Sequence, residues 1–150
     1  MGASEWDYYV PHQGDLGAAL DELRRRVFEA GDYWWVYGPG WAPTGLNEDR
    51  PRTLEEMWDD DLVQEMGTHS ILDVFRVLGP DEDPASAGHR TVQPVSAEEA
   101  FQHLGTSKLT RAHVARFDVF PRWRWFGRCA ILHDAHGRPQ EIYFWGHSGD

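Results

Sequence analysis

The pattern of hydrophobic and polar positions in the first third of the chain predicts a strand, a helix and a second short strand. Residues 5–10, EWDYYV, alternate loosely and are rich in aromatic side chains, which is typical of a strand. Residues 14–31 place leucine and valine at helical spacing. Asp15 is a typical residue before the first turn of a helix, and Gly31 is a typical terminator. Residues 33–37, YWWVY, predict a short strand before a Gly/Pro-rich loop.

The middle of the chain predicts a second helix followed by a strand. Residues 53–67 repeat large apolar side chains at helical spacing, with Thr53 and Glu56 in the spacing of a capping box. Residues 68–78, THSILDVFRVL, are rich in branched side chains and predict a strand. Residues 79–89 contain glycine, proline and several acids, and they predict a solvated loop.

The last third of the chain predicts alternating strands and helices. Residues 90–95 indicate a short strand, 96–105 a third helix and 109–117 a short fourth helix. Residues 127–134 and 140–147 indicate two strands joined by a glycine-containing turn.

The order of these elements predicts an α+β fold in a single globular domain over residues 1–150. We expect a largely antiparallel sheet of about five strands with three to four helices, ending in a β-hairpin. A chain of this length buries about two thirds of its unfolded surface, so neither a disulfide nor a metal is needed for stability.

Composition and charge restrict the class of partner. The formal net charge of −11 argues against nucleic acid, whose phosphates require a basic surface, and suits a basic protein partner. The single cysteine, Cys129, excludes an intramolecular disulfide. The chain begins without the pattern of a signal peptide, and it has no apolar run long enough to cross a membrane. We therefore expect a cytoplasmic bacterial protein; the sequence does not predict its oligomeric state.

Tryptophan is unusually frequent, and its positions indicate two candidate binding segments. The chain has eight tryptophans, more than a small domain ordinarily buries. Residues 33–43 bring Trp34, Trp35 and Trp41 together around a Gly/Pro turn, which is typical of a preformed aromatic wall. Residues 120–128 interleave aromatics with Arg122 and Arg124, which are suited to hold an anionic group. The alternative for the second segment is an edge strand with tryptophans inward and arginines outward.

The stretch EMGTHSILDV, residues 65–74, is the one place where catalytic side-chain types cluster. In a strand, His69 and Asp73 would share one face and Ser70 would point to the other, so these three residues do not form a serine relay. His69 and Asp73 remain a candidate pair for acid–base chemistry. The alternative is that they belong to a helix end that turns into a strand.

Other chemical motifs are incomplete. The segment GHSG, residues 146–149, lacks the spacing of a hydrolase elbow. The histidines near the last two strands do not have zinc-ligand spacing, and we predict neither a metal site nor a cofactor.

These features favour one function and leave a second open. The first is a non-catalytic binding or interaction protein, such as an inhibitor or immunity-like protein, with an acidic helix face and a Trp-rich loop. The alternative is a small enzyme or small-molecule-binding protein, whose Trp/Arg-lined pocket holds an anionic or aromatic ligand and uses His69 and Asp73. The sequence leaves open whether the protein is catalytic.

Overall fold

A computed structural model describes residues 4–38, 49–121 and 123–149. Within these ranges the chain forms an α+β fold around one five-stranded sheet with the order β1-β5-β4-β3-β2. The strands are β1 (Glu5–Pro11), β2 (Arg76–Val77), β3 (Thr91–Pro94), β4 (Phe126–His133) and β5 (Pro139–His147).

The helices lie between these strands in sequence. The α-helices are α1 (Leu16–Ala30), α2 (Leu54–Trp58), α3 (Asp61–Met66) and α4 (Ala97–Leu104). Short 3-10 helices span Ile71–Asp73, Pro84–Ser86 and Arg111–Val119. In the described parts of the chain, none of the helices combines the length and the apolar character that crossing a membrane requires.

The sheet is mixed, so the prediction of a largely antiparallel sheet is wrong. β5 pairs antiparallel with both β1 and β4, whereas β3 pairs parallel with both β4 and β2. Between β3 and β4 the chain passes through α4 and the 3-10 helix Arg111–Val119. A connection of this length returns the chain to the end where β3 began, which makes the next strand parallel.

The sheet buries apolar side chains on both faces. On β5, Ile142 and Phe144 belong to the core cluster shared with α1, α2 and α3, whereas Tyr143 and Trp145 belong to a second cluster shared with α4. This alternation follows the two-residue period of a strand. The sheet therefore lies between two helical layers.

Local signals in the sequence determine the ends of α1. The side chain of Asp15 accepts a hydrogen bond from the backbone N–H of Ala18, and Gly31 adopts the left-handed conformation at φ 66°. Leu20, Leu23 and Val27 are buried. The predicted first strand and first helix are thus both confirmed.

The helix predicted over residues 53–67 is interrupted. Thr53 caps α2 as predicted, but the chain leaves the helix at Asp59 and Asp60 and begins again as α3. The carboxylate of Asp60 accepts from the N–H groups of Leu62 and Val63 and from the hydroxyl of Tyr37. Aspartate competes with the helical hydrogen bonds in this way, so two adjacent aspartates favour a new N-terminus over continuation.

One predicted strand is absent from the described structure, and a second is reduced to two residues. Residues 33–37 form turns in which Trp35 and Val36 are buried. Residues 68–75 form a loop with one turn of 3-10 helix, and only Arg76–Val77 of the predicted strand pair in the sheet. Hydrogen bonds from polar side chains replace the strand ladder in this loop.

Candidate functional site

The buried carboxylate of Asp73 organises the loop 67–75. Asp73 is inaccessible to solvent, with an exposed fraction of 0%. Its Oδ1 accepts from the backbone N–H of Thr68 at 2.7 Å and from the hydroxyl of Thr68 at 2.8 Å. Its Oδ2 accepts from the backbone N–H of His69 at 3.1 Å and from the hydroxyl of Ser148. A buried carboxylate with this many donors is well satisfied and holds the loop in one conformation.

The hydroxyl groups around Asp73 extend the polar network. The hydroxyls of Thr68 and Ser70 lie 2.7 Å apart, and Ser70 also accepts from the N–H of Leu72 to begin the 3-10 helix. The hydroxyl of Tyr8 on β1 accepts weakly from the N–H of Ile71 at 3.4 Å, and burial raises the pKa of Tyr8. The loop is thereby joined to the sheet.

His69 and Asp73 are brought together, but through the backbone of His69. The imidazole of His69 stacks on the indole of Trp34, with ring centroids 4.3 Å apart and planes within 2° of parallel. The group of His69 that contacts the Asp73 carboxylate is its backbone N–H. The carboxylate of Asp73 therefore holds the loop in place. The imidazole of His69 instead stacks on the half-buried indole of Trp34.

Arg90 connects this loop to an exposed aromatic surface. Its guanidinium donates to the backbone carbonyls of Asp73 at 3.1 Å and Gln64 at 2.8 Å. The same group lies over three rings, those of Trp58 at 4.6 Å, Phe75 at 5.3 Å and Trp125 at 4.3 Å. We call Trp58, Phe75, Arg90 and Trp125 the aromatic–arginine cluster. Phe75 is 41% exposed, and the other three members are half-buried.

Backbone strain is concentrated in the same region. Among the described residues other than glycine, three have positive φ: His69 at 54°, Arg90 at 68° and Trp125 at 64°. The N–H of Arg90 donates to the carbonyl of Trp125 at 2.6 Å, so two of the three are bonded directly. Such conformations cost about 1–3 kcal/mol each, and they persist where the surrounding contacts determine them and where function uses them.

Two glycines make room for Trp125. A Cβ on Gly67 would lie 2.8 Å from both the indole of Trp125 and the carboxylate of Asp73. A Cβ on Gly149 would lie 1.7 Å from the same indole. Trp125 therefore packs directly on backbone at Gly67 and Gly149, and Gly67 also requires its positive φ of 72°.

Burial dominates the electrostatics of the site. Desolvation raises the pKa of Asp73, while the hydrogen bonds from Ser148 and Thr68 and the charge of Arg90 act in the opposite direction. Burial also lowers the pKa of the guanidinium groups of Arg90 and Arg24. Arg24 lies over the exposed ring of Phe75 at 5.3 Å, so this ring contacts two guanidinium groups, those of Arg24 and Arg90.

The two helices that contribute Trp58 and Gln64 also carry exposed acidic residues. Trp58 belongs to α2, and Gln64, which accepts from Arg90, belongs to α3. These two helices present exposed carboxylates, which we call the acidic face: Glu55, Glu56, Asp59, Asp61 and Glu65.

The other residues singled out from the sequence have different positions. Trp35 is buried in the core, where its ring meets those of Tyr33 and Tyr37 edge-on. Arg124 is exposed in the turn before β4. Trp41 and Arg122 lie outside the described residues. The alternative of an edge strand over residues 120–128 does not hold for the described residues. Residues 123–125 form a turn with positive φ at Trp125, and residues 126–128 belong to β4, which lies inside the sheet between β3 and β5.

Sequence reasoning missed most of the cluster. It placed Trp58 only within the helical pattern of residues 53–67, and it gave no functional role to Phe75, to Arg90 or to Ser148, the partner of Asp73. The one available signal was the excess of tryptophan, which indicates that some indoles lie at the surface.

No protein-family model, no curated protein and no solved structure matches the chain. Within the described ranges, no three His, Cys, Asp or Glu side chains converge as a metal ion would require. The function must therefore be argued from the site alone.

Proposed function

We propose that this protein is a non-catalytic binding protein whose partner is a basic protein. The aromatic–arginine cluster is the centre of the interface, and the acidic face on α2 and α3 is its rim. A cytoplasmic bacterial inhibitor or immunity-like protein is the class that these features suit. The observation that carries the proposal is a partly exposed aromatic surface that rests on a strained loop, which the buried and hydrogen-bonded carboxylate of Asp73 holds in place.

The residue types in the cluster are those that dominate binding energy in protein interfaces. Tryptophan and arginine are enriched among such hot spots, and their effect is largest where packing fixes them before the partner arrives. Arg90 is held by two carbonyls and three rings, and Trp125 packs on two glycines. Little side-chain entropy is therefore lost when a partner covers them.

The charge of the molecule supports a basic partner. The acidic face contributes five exposed carboxylates from α2 and α3 and the residue between them, and the whole chain carries a net charge of −11. Complementary charge accelerates encounter and excludes acidic partners, and its effect decreases with salt. The partner should thus present a basic surface with an apolar or aromatic centre.

The geometry gives less support to the alternative, a small enzyme that uses His69 and Asp73. The carboxylate of Asp73 has an exposed fraction of 0% and already accepts from two backbone N–H groups and two hydroxyls. A general acid or base must reach the proton that it transfers. A substrate at the surface has no access to this carboxylate.

The proposal is tested by capturing the partner on the tagged protein in its host and measuring the affinity of the purified pair by calorimetry. Phe75→Ala and Trp58→Ala should each weaken binding at least about tenfold, as truncation of a hot-spot aromatic does. Phe101→Ala is the matched control, because Phe101 is a more exposed aromatic, at 65%, on α4 and outside the cluster. It should leave the affinity unchanged.

A charge reversal tests the acidic face separately. Glu55→Lys with Asp59→Lys should slow association and reduce its dependence on salt. Asp118→Lys changes an exposed carboxylate in the 3-10 helix Arg111–Val119 and should have little effect. The proposal is wrong if the cluster variants and the Phe101 control bind equally well, or if the captured partner is acidic.

A further inference from the structure

A second surface feature is independent of the aromatic–arginine cluster. A cleft of about 930 Å³ lies where β2 and β3 end and where α1 and α4 begin. Its walls are formed by residues 14–17, by residues 77–80, 82 and 84, and by residues 93, 94, 96 and 99. None of them belongs to the cluster or to the acidic face. The carboxyl ends of adjacent parallel strands are a common location for ligand sites, and this volume is typical of sites for small molecules.

The walls of the cleft are held in place before any ligand binds. Pro80, Pro84 and Pro94 restrict the backbone on two sides. The side chain of Glu82 accepts from the N–H of Gly79 at 2.9 Å and pairs with Arg76 at 2.9 Å, which closes the loop after β2. A ligand therefore meets a preformed site rather than one that must fold around it.

The polar groups of the cleft are unsuited to an anion. The three prolines offer no N–H, and the side chains of Asp15 and Ser96 already accept from the first turns of α1 and α4. Carboxylates rather than cations lie in the lining: Asp15, Glu82 and Glu99. An anionic ligand would face like charge there.

One carboxylate remains without a cation. Glu82 is paired with Arg76, and Glu99 is paired with Arg128, whose side chain is 3% exposed. Within the described residues, Asp15 has no cationic partner. Apolar atoms surround these groups, since Leu16, Val77 and Leu78 also line the cleft.

We propose that this cleft binds a small, mainly apolar molecule that carries one positive charge, such as a primary amine. The apolar part lies against the prolines and Leu78, and the ammonium group pairs with Asp15. This site is separate from the proposed protein interface and does not depend on it.

Three probes of the same shape and different charge test the proposal: 2-phenylethylammonium, 2-phenylethanol and phenylacetate. Binding is followed by amide chemical shifts of the ¹⁵N-labelled protein during titration. A ligand of this size should bind in the millimolar range. We expect the ammonium probe to shift the amides of Gly17 and Gly79 and to bind up to about fivefold more tightly than the neutral alcohol, with phenylacetate weakest.

Two variants and one control variant assign the effect to the cleft. Asp15→Asn keeps the helix cap and removes the charge, so the ammonium and the alcohol should then bind equally. Gly14→Trp should abolish binding by filling the cleft, whereas Gly88→Trp should not; a Cβ at either glycine meets nothing within 4 Å, so both variants should fold.

Three results would overturn the proposal. They are no shift with any probe up to about 10 mM, equal or tighter binding of phenylacetate, and binding that survives Gly14→Trp.

Discussion

Replacing Asp73 with asparagine is the sharpest test of how the candidate site is held together. The substitution preserves size and shape, but it replaces one acceptor oxygen by an NH₂ group. Whichever way the amide is oriented, its NH₂ faces either the N–H of Thr68 or the N–H of His69, because these two donate to different oxygens of the carboxylate. One buried backbone donor therefore loses its acceptor.

The expected cost follows from the directions of the donors. A buried N–H without an acceptor costs about 1–3 kcal/mol, and this N–H also faces the NH₂ group of the asparagine, which is itself a donor. The hydroxyl of Thr68 is less affected, since the hydroxyl of Ser70 lies 2.7 Å away. We expect Asp73→Asn to lower the free energy of unfolding by about 2–4 kcal/mol, and Asp73→Ala by about 3–6 kcal/mol, because alanine leaves both N–H groups without an acceptor. These losses are a large part of the roughly 5–15 kcal/mol that stabilises a typical domain.

Urea denaturation at pH 7, followed by tryptophan fluorescence and by circular dichroism, measures the change. Asp15→Asn is the control, because asparagine caps a helix as well as aspartate and the position is exposed. It should change the free energy of unfolding by less than about 0.5 kcal/mol. If Asp73→Asn were as mild as this control, the network would not hold the loop and our reasoning about the site would be refuted.

Three further predictions concern other contacts. Gly67→Ala should lower the free energy of unfolding, measured in urea, by at least about 2 kcal/mol, because the new Cβ meets both an indole and a carboxylate at a positive φ. Gly88→Ala should change it by less than about 0.5 kcal/mol, since a Cβ there meets nothing within 4 Å. Equal effects of the two substitutions would contradict the packing described at Gly67. Arg128→Met should lower the free energy of unfolding by about 3–5 kcal/mol, because it removes a buried guanidinium that pairs with a carboxylate and donates to two backbone carbonyls. Arg25→Met, which removes one member of an exposed ion pair, should lower it by less than about 0.5 kcal/mol. Because burial raises the pKa of Asp73, the folded protein binds its proton more tightly than the unfolded chain does. The stability that this proton contributes is present at low pH and is lost as the pH rises through the raised pKa. The difference in the free energy of unfolding between wild type and Asp73→Asn, measured in urea, should therefore shrink above about pH 4 and should not grow.

Elements whose signals are local were predictable from the sequence. The first strand and α1 lie where expected, because alternation, an N-cap and a glycine in the left-handed conformation all act within a few residues. The direction of the strands was not predictable in this way. β3 and β4 are parallel because of the long connection between them, and the pattern within each strand does not record that connection.

The candidate site depends on contacts between distant parts of the chain. Ser148 donates to Asp73 from 75 positions away, and Arg90 reaches the carbonyl of Gln64 across 26 positions. Branched residues after Gly67 resembled a strand because the sequence does not reveal that Asp73 would be buried among backbone donors. The role of the exposed surface in binding stays a prediction.

Native mass spectrometry of the tagged protein purified from its host tests the binding function most directly. The account predicts a complex of fixed stoichiometry with one basic protein. That complex should be lost in the Trp58→Ala, Phe75→Ala double variant and retained in Phe101→Ala. A bare chain in all three preparations, or a partner held equally by the double variant, would contradict it.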